Sequence, residues 1–122
     1  MSPIALFIYN RPHVTEQVFA RVKEAKPEQL FLIADGPKAG STEDEQRCEE
    51  TRCIVESIDW ECQVFKEFSD RNLGCKHRIS SGVTWVFEQV DRAIILEDDC
   101  LPHPSFFEFC QDLLSRYQDD ER

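Results

Sequence analysis

The chain has 122 residues, enough for one hydrophobic core and too few for two domains. Its content of 41% hydrophobic and 31% charged residues is that of a globular chain and excludes a disordered or low-complexity one. The net charge of −10 argues against nucleic acid or an anionic membrane as partner, because both are held by basic surface.

Met1-Ser2-Pro3 leads straight into an apolar run, with no basic region before it and no segment long enough to cross a membrane. A cytoplasmic chain is expected, or a piece separated from its targeting segment. Ile4 to Tyr9 (IALFIY) reads as a strand covered on both faces. Pro12 marks a turn, and Val14, Val18, Phe19, Val22 and Ala25 then recur at helical spacing until Pro27. Leu30 to Ala34 (LFLIA) is a second buried strand, closed by Asp35-Gly36-Pro37.

After a polar loop, Thr42-x-x-Glu45 can act as a capping box for a helix whose apolar face is Cys48, Thr51, Val55 and Ile58. The acids from Glu43 to Glu50, like those from Asp119 to Glu121, read as solvated surface. Cys62 to Phe68 is a less apolar strand, expected near a sheet edge. Asp70 to Gly74 is a loop, and Lys76 and Arg78 open the next helix, with Ile79, Val83, Val86, Phe87 and Val90 on its inner side. Ala93 to Leu96 is a fourth strand running into Glu97-Asp98-Asp99. Ser105-x-x-Glu108 caps a last helix with Phe106, Phe109, Cys110, Leu113, Leu114 and Tyr117 facing inward.

The cysteines at 48, 53, 62, 75, 100 and 110 form no Cys-x-x-Cys pair and match no common zinc spacing, although Cys100 and His103 stand close together. They are expected to be reduced and to behave as small hydrophobes.

Strict alternation of strand and helix predicts a single α/β domain of three layers, a mainly parallel sheet with helices on both faces. Ligands in such sheets bind beyond the carboxyl ends of the strands. The residues of interest are therefore at the four strand exits: Asn10-Arg11, Asp35-Gly36, Ser69-Asp70 and Glu97-Asp98-Asp99.

The last exit carries the most chemistry. Adjacent carboxylates repel by roughly 1 kcal/mol at about 4 Å in water and by more where water is excluded. A hard divalent cation such as Mg2+ or Mn2+ relieves that repulsion and takes phosphate oxygens as further ligands. While the strand stays extended, Glu97 and Asp99 point one way and Asp98 the other. One acid can then hold metal while its neighbour meets ribose hydroxyls. The plainer alternative is a strand end whose acids are solvated or paired with Arg92 or Arg78. Asp35 can accept a base imide N–H or simply serve a turn. Arg11, Lys76 and Arg78 can meet a diphosphate or a base carbonyl, or remain surface cations.

Asn72-Leu73-Gly74-Cys75, Ser80-Ser81-Gly82-Val83-Thr84-Trp85, Ile94 to Pro102 and Phe106-Phe107 together resemble bacterial glycosyltransferases of the GT-A type. More distantly they resemble the N-acetylglucosaminyltransferase I group, whose acidic metal motif takes an EDD form. The resemblance spans essentially the whole chain. It implies a Rossmann-like half of a GT-A fold that binds a nucleoside-diphosphate sugar, with UDP as the expected nucleotide. It further implies Arg11 beside the nucleotide, Asp35 on uracil and Lys76 near the base or ribose. Arg78 would lie near the diphosphate, Asp98 on ribose, Asp99 on Mn2+ or Mg2+, and Glu97 would order ribose or metal-bound water. Asn10 stands where relatives carry an aspartate.

In such enzymes a further strand, the acceptor site and the catalytic base follow this region. The chain is thus expected to be truncated before the acceptor-binding half, inactive alone, and to have no catalytic residue assignable within it. A non-catalytic module that binds a nucleotide sugar or a partner is the alternative. An exposed sheet edge would favour self-association. A sugar nucleotidyltransferase is disfavoured because the first strand exit, Tyr9-Asn10-Arg11-Pro12-His13, has no glycine.

Overall fold

A computed structural model describes residues 2–98. Asp99 and the helix expected after Ser105 lie outside the described residues. Within them the order is β1 (Ile4–Ile8), α1 (Pro12–Ala25), β2 (Gln29–Ala34), α2 (Thr42–Ile54), β3 (Gln63–Phe68), α3 (Cys75–Phe87) and β4 (Ile94–Glu97). The strands form one four-stranded sheet in the order β3-β2-β1-β4, every pairing parallel. This α/β arrangement is consistent with a Rossmann-like fold.

The order follows from how apolar each strand is. β1 and β2 are buried almost throughout and take the centre. β3 mixes Gln63, Lys66 and Glu67 with its apolar residues and takes one edge, while β4, apolar but for Glu97, pairs with β1 alone among the described residues. Alternation along the strands divides the core in two. Ile4, Leu6, Ile8, Leu30, Leu32, Ala34, Ile94 and Leu96 pack with Val18, Phe19 and Val22 of α1, with Ile54 of α2 and with Val55 at its end. Ala5, Phe7, Phe31 and Ile33 pack instead with Ile79, Val83, Trp85 and Val86 of α3. On that second side Phe31 stacks on Phe65 at 4.6 Å and meets the edge of Trp85 at 5.6 Å.

The helix ends depart from the sequence reading in four places. Pro12 occupies the first turn of α1, where its missing N–H costs nothing. The cap of α2 is Ser41, whose Oγ accepts from the Asp44 N–H at 3.2 Å, one residue before the expected Thr42. Phe87 ends α3 at 45% exposure, not on its inner side, because the helix terminates there and the chain turns toward β4. Ile58 follows the end of α2 yet still packs against the core.

Candidate functional site

The chain visits β1, β2 and β3 in one direction across the sheet and returns to the other side of β1 for β4. The strand order thus reverses at β1, the point in such sheets where a crevice opens beyond the carboxyl ends of the strands. A cleft of about 330 Å3 lies there, walled by Phe7 and Tyr9 from β1 and its exit, Asn72 and Gly74 from the loop after β3, and Ile79 of α3.

Most of the expected site residues meet at this cleft. Arg11, an exposed residue at the N-cap of α1, lines it, as do Asp35, Arg78, Glu97 and Asp98. Lys76 is exposed on α3 and is not among the lining residues. Asp99, the expected metal ligand, lies outside the described residues. The expected alternation of the acids stops early: β4 ends at Glu97 and the chain turns at Asp98, so both carboxylate residues reach the same cleft. Two adjacent acids at a cleft wall offer hard oxygen donors of the kind Mg2+ and Mn2+ take alongside phosphate. Among the described residues no group of three or more His, Cys, Asp or Glu side chains forms a site for an ion.

Asp35 is 4% exposed, and its carboxylate organises the rim. Oδ1 accepts from the N–H of Gly36 at 2.9 Å and of Leu73 at 2.8 Å. Oδ2 accepts from Asn72 Nδ2 at 3.3 Å, and the same amide nitrogen donates to the Gly36 carbonyl at 3.1 Å. A carboxylate has about four acceptor sites, so Oδ2 retains capacity toward the cleft. Arg52 of α2 adds a second tie, donating through Nη2 to the carbonyls of Asp35 at 3.1 Å and Ser69 at 2.6 Å. The guanidinium lies over the Phe68 ring, 5.0 Å from its centroid. The exits of β2 and β3 are thereby held together.

Arg78 is 6% exposed, beneath the cleft, and pairs through Nη2 with Glu67 of β3. Its Nε is buried without a hydrogen-bond partner. Four residues earlier Gly74 adopts φ 86°, ψ 150°, a conformation open essentially to glycine alone, and starts α3 with no side-chain cap. The first-turn N–H groups thus lack a side-chain acceptor, and Gly74 and Cys75 line the cleft. An uncapped helix start beside a guanidinium is suited to an anion.

The sequence reading missed Tyr9, Lys38 and Asn72 on the cleft wall, and Asp44 behind it. Asp44 belongs to the acidic run read as solvated, yet it is 8% exposed. Its Oδ2 accepts from the Tyr9 hydroxyl at 2.6 Å and the Lys38 N–H at 2.7 Å, and its Oδ1 from Asn10 Nδ2 at 2.6 Å. Burial opposes the charge, but the hydrogen bonds from Tyr9, Lys38 and Asn10 outweigh it and hold the carboxyl below its ordinary range. Burial, and then the bond to this carboxylate, push the Tyr9 phenol well above its ordinary value. Locally Asp44 stands out only by its place three residues after the Ser41 cap and six after Lys38, whereas Tyr9 and Asn10 reach it from 35 and 34 residues away. Asn72 was within reach as part of the Asn-Leu-Gly stretch that stood out in the sequence.

No helix among the described residues is long and apolar enough to cross a membrane. The chain matches no protein-family model, no curated protein and no solved structure.

Proposed function

We propose that the chain is the donor-binding part of a metal-dependent GT-A glycosyltransferase and grips a nucleoside-diphosphate sugar, with UDP as the preferred nucleotide. One observation supports this most. A single cleft at the strand exits gathers a buried carboxylate (Asp35), a buried guanidinium (Arg78), an exposed arginine (Arg11) and the acidic pair Glu97-Asp98. That is the mixture of donors and acceptors a base, a ribose and a diphosphate require.

In this reading the base lies against Asp35, whose Oδ2 accepts an imide N–H, with Arg11 toward a base carbonyl or the nucleotide. The diphosphate lies at the start of α3, where Arg78 and the first-turn N–H groups meet its charge. Asp98 takes ribose hydroxyls. Glu97 orders ribose or water, and Asp99 would hold Mn2+ or Mg2+. A bound divalent cation would take up charge developing on the departing diphosphate. The helices on both faces of the sheet complete the three-layer half of the GT-A fold.

Titration calorimetry with UDP and Mn2+ tests the reading. Saturable binding is expected, weakened by Asp99→Ala only where metal is present. Failure of UDP, GDP, CDP and ADP all to bind would sink it.

A further inference from the structure

The carboxylate of Asp44 joins three segments: the exit of β1 through Tyr9 and Asn10, 35 and 34 residues away, the exit of β2 through the Lys38 N–H, six residues away, and the first turn of α2 that carries it. Both exits hold cleft residues, Tyr9 and Arg11 on one and Lys38 on the other, whereas Asp44 and Asn10 are not among the residues lining the cleft. A stray acid on a helix start would be solvated and would make at most one such bond. This one is buried, and its three short bonds engage both oxygens.

We propose that Asp44 is a positioning residue that sets the separation of the β1 and β2 exits, and with it the distance between Arg11 and Lys38 across the cleft mouth. This rests on the nucleotide-binding reading and deepens it. The polarity of the bonds is specific. Tyr9, Lys38 and Asn10 all donate, so the centre of the clamp must accept on both oxygens. An Asn10→Asp substitution sets two carboxylates against each other and drives the β1 exit away. Adding Asp44→Asn restores complementarity: the new amide oxygen accepts from Tyr9 and Lys38, and the new NH2 donates to the new carboxylate, at unchanged net charge.

The test compares UDP affinity, with Mn2+ present, for the wild type, Asn10→Asp and the Asn10→Asp/Asp44→Asn pair, all as full chains. Amide exchange at Lys38 and thermal unfolding are measured in parallel. Asn10→Asp is expected to weaken UDP about tenfold or more and to speed exchange at Lys38. The pair is expected to return both to within about threefold of wild type. If folded Asn10→Asp binds UDP like the wild type, or if the pair restores the melting temperature but not the affinity, Asp44 is only structural and the proposal is overturned. Should the wild type bind no nucleoside diphosphate, the nucleotide-binding reading fails, and positioning for a nucleotide falls with it. Lys38 exchange then reports on the clamp itself: unchanged exchange in Asn10→Asp rejects that too.

Discussion

Gly36 and Arg71 stand so close that a methyl group on the glycine would lie 2.5 Å from the arginine backbone nitrogen and 2.6 Å from its carbonyl carbon. The contact is with backbone, which cannot rotate aside as a side chain tip can. It lets the loop after β3 lie against the β2 exit, where Asp35 accepts from the N–H of Gly36 and of Leu73. Gly36→Ala is therefore expected to lift that loop and cost about 1–3 kcal/mol, the usual range for overpacking. Urea unfolding measures the loss, and faster amide exchange at Leu73 would locate it. Unchanged exchange with lowered stability would place the strain elsewhere.

Arg78 and Glu67 illustrate how a site residue can also be a structural one. The arginine side chain is 7% exposed and its partner 33%. Removing the partner by Glu67→Ala leaves a buried guanidinium uncompensated. The expected loss is about 2 kcal/mol, below the roughly 3–5 typical of fully buried pairs because Glu67 is partly in water. Replacing both, by Glu67→Leu and Arg78→Met, should recover most of that stability while removing the cation proposed for the diphosphate. Denaturation and UDP titration on the same two variants separate the roles. If the double variant binds UDP as tightly as the wild type, Arg78 is not part of the site.

The framework was legible because it depends on local pattern. IALFI and LFLIA are apolar without interruption, as central parallel strands must be, and β3 announced its edge position through Gln63, Lys66 and Glu67. The strand exits were legible for the same reason, and with them Arg11, Asp35, Arg78, Glu97 and Asp98. What stayed hidden is set by distance in sequence. Asp44 reads like its acidic neighbours until the fold of β1 brings Tyr9 and Asn10 to it from 35 and 34 residues away. Lys76 and Arg78 were equally basic on paper. In α3 the first is exposed and does not line the cleft, whereas the second is buried and does.

Cys75 gives the proposed site a chemical reporter. It is exposed, begins α3 and lines the cleft, whereas Cys53 is exposed on α2 and does not line it. A nucleotide seated at the α3 N-terminus should shield the first thiol and leave the second open. Iodoacetamide labelling followed by peptide mass analysis is expected to show Cys75 modified about tenfold more slowly with saturating UDP and Mn2+, with Cys53 unaffected. Equal labelling with and without ligand would mean the nucleotide does not occupy this end of the cleft.

Cys48 predicts how the fold responds to alkali. It is 2% exposed on α2, and burial, reinforced by the nearby Asp44 carboxylate, pushes its thiol from 9.0 up to about 11. Because the folded value exceeds the unfolded one, the thiol contribution is fully present below pH 9.0 and is lost as pH rises toward about 11. Above pH 9.0 the unfolded chain sheds a proton that the folded chain retains, so ionisation pulls toward unfolding. Between about pH 8 and about pH 10 the expected loss is about 1 kcal/mol. Cys62, whose thiol burial also raises above 9.0, adds to the loss in the same window, and Tyr9 enters as pH approaches its unfolded value of 10.0. Cys48→Ala should start somewhat less stable and then show a flatter decline across the same range. Urea midpoints at the two pH values decide the matter: equal slopes for the two proteins would show that Cys48 does not carry the alkaline sensitivity.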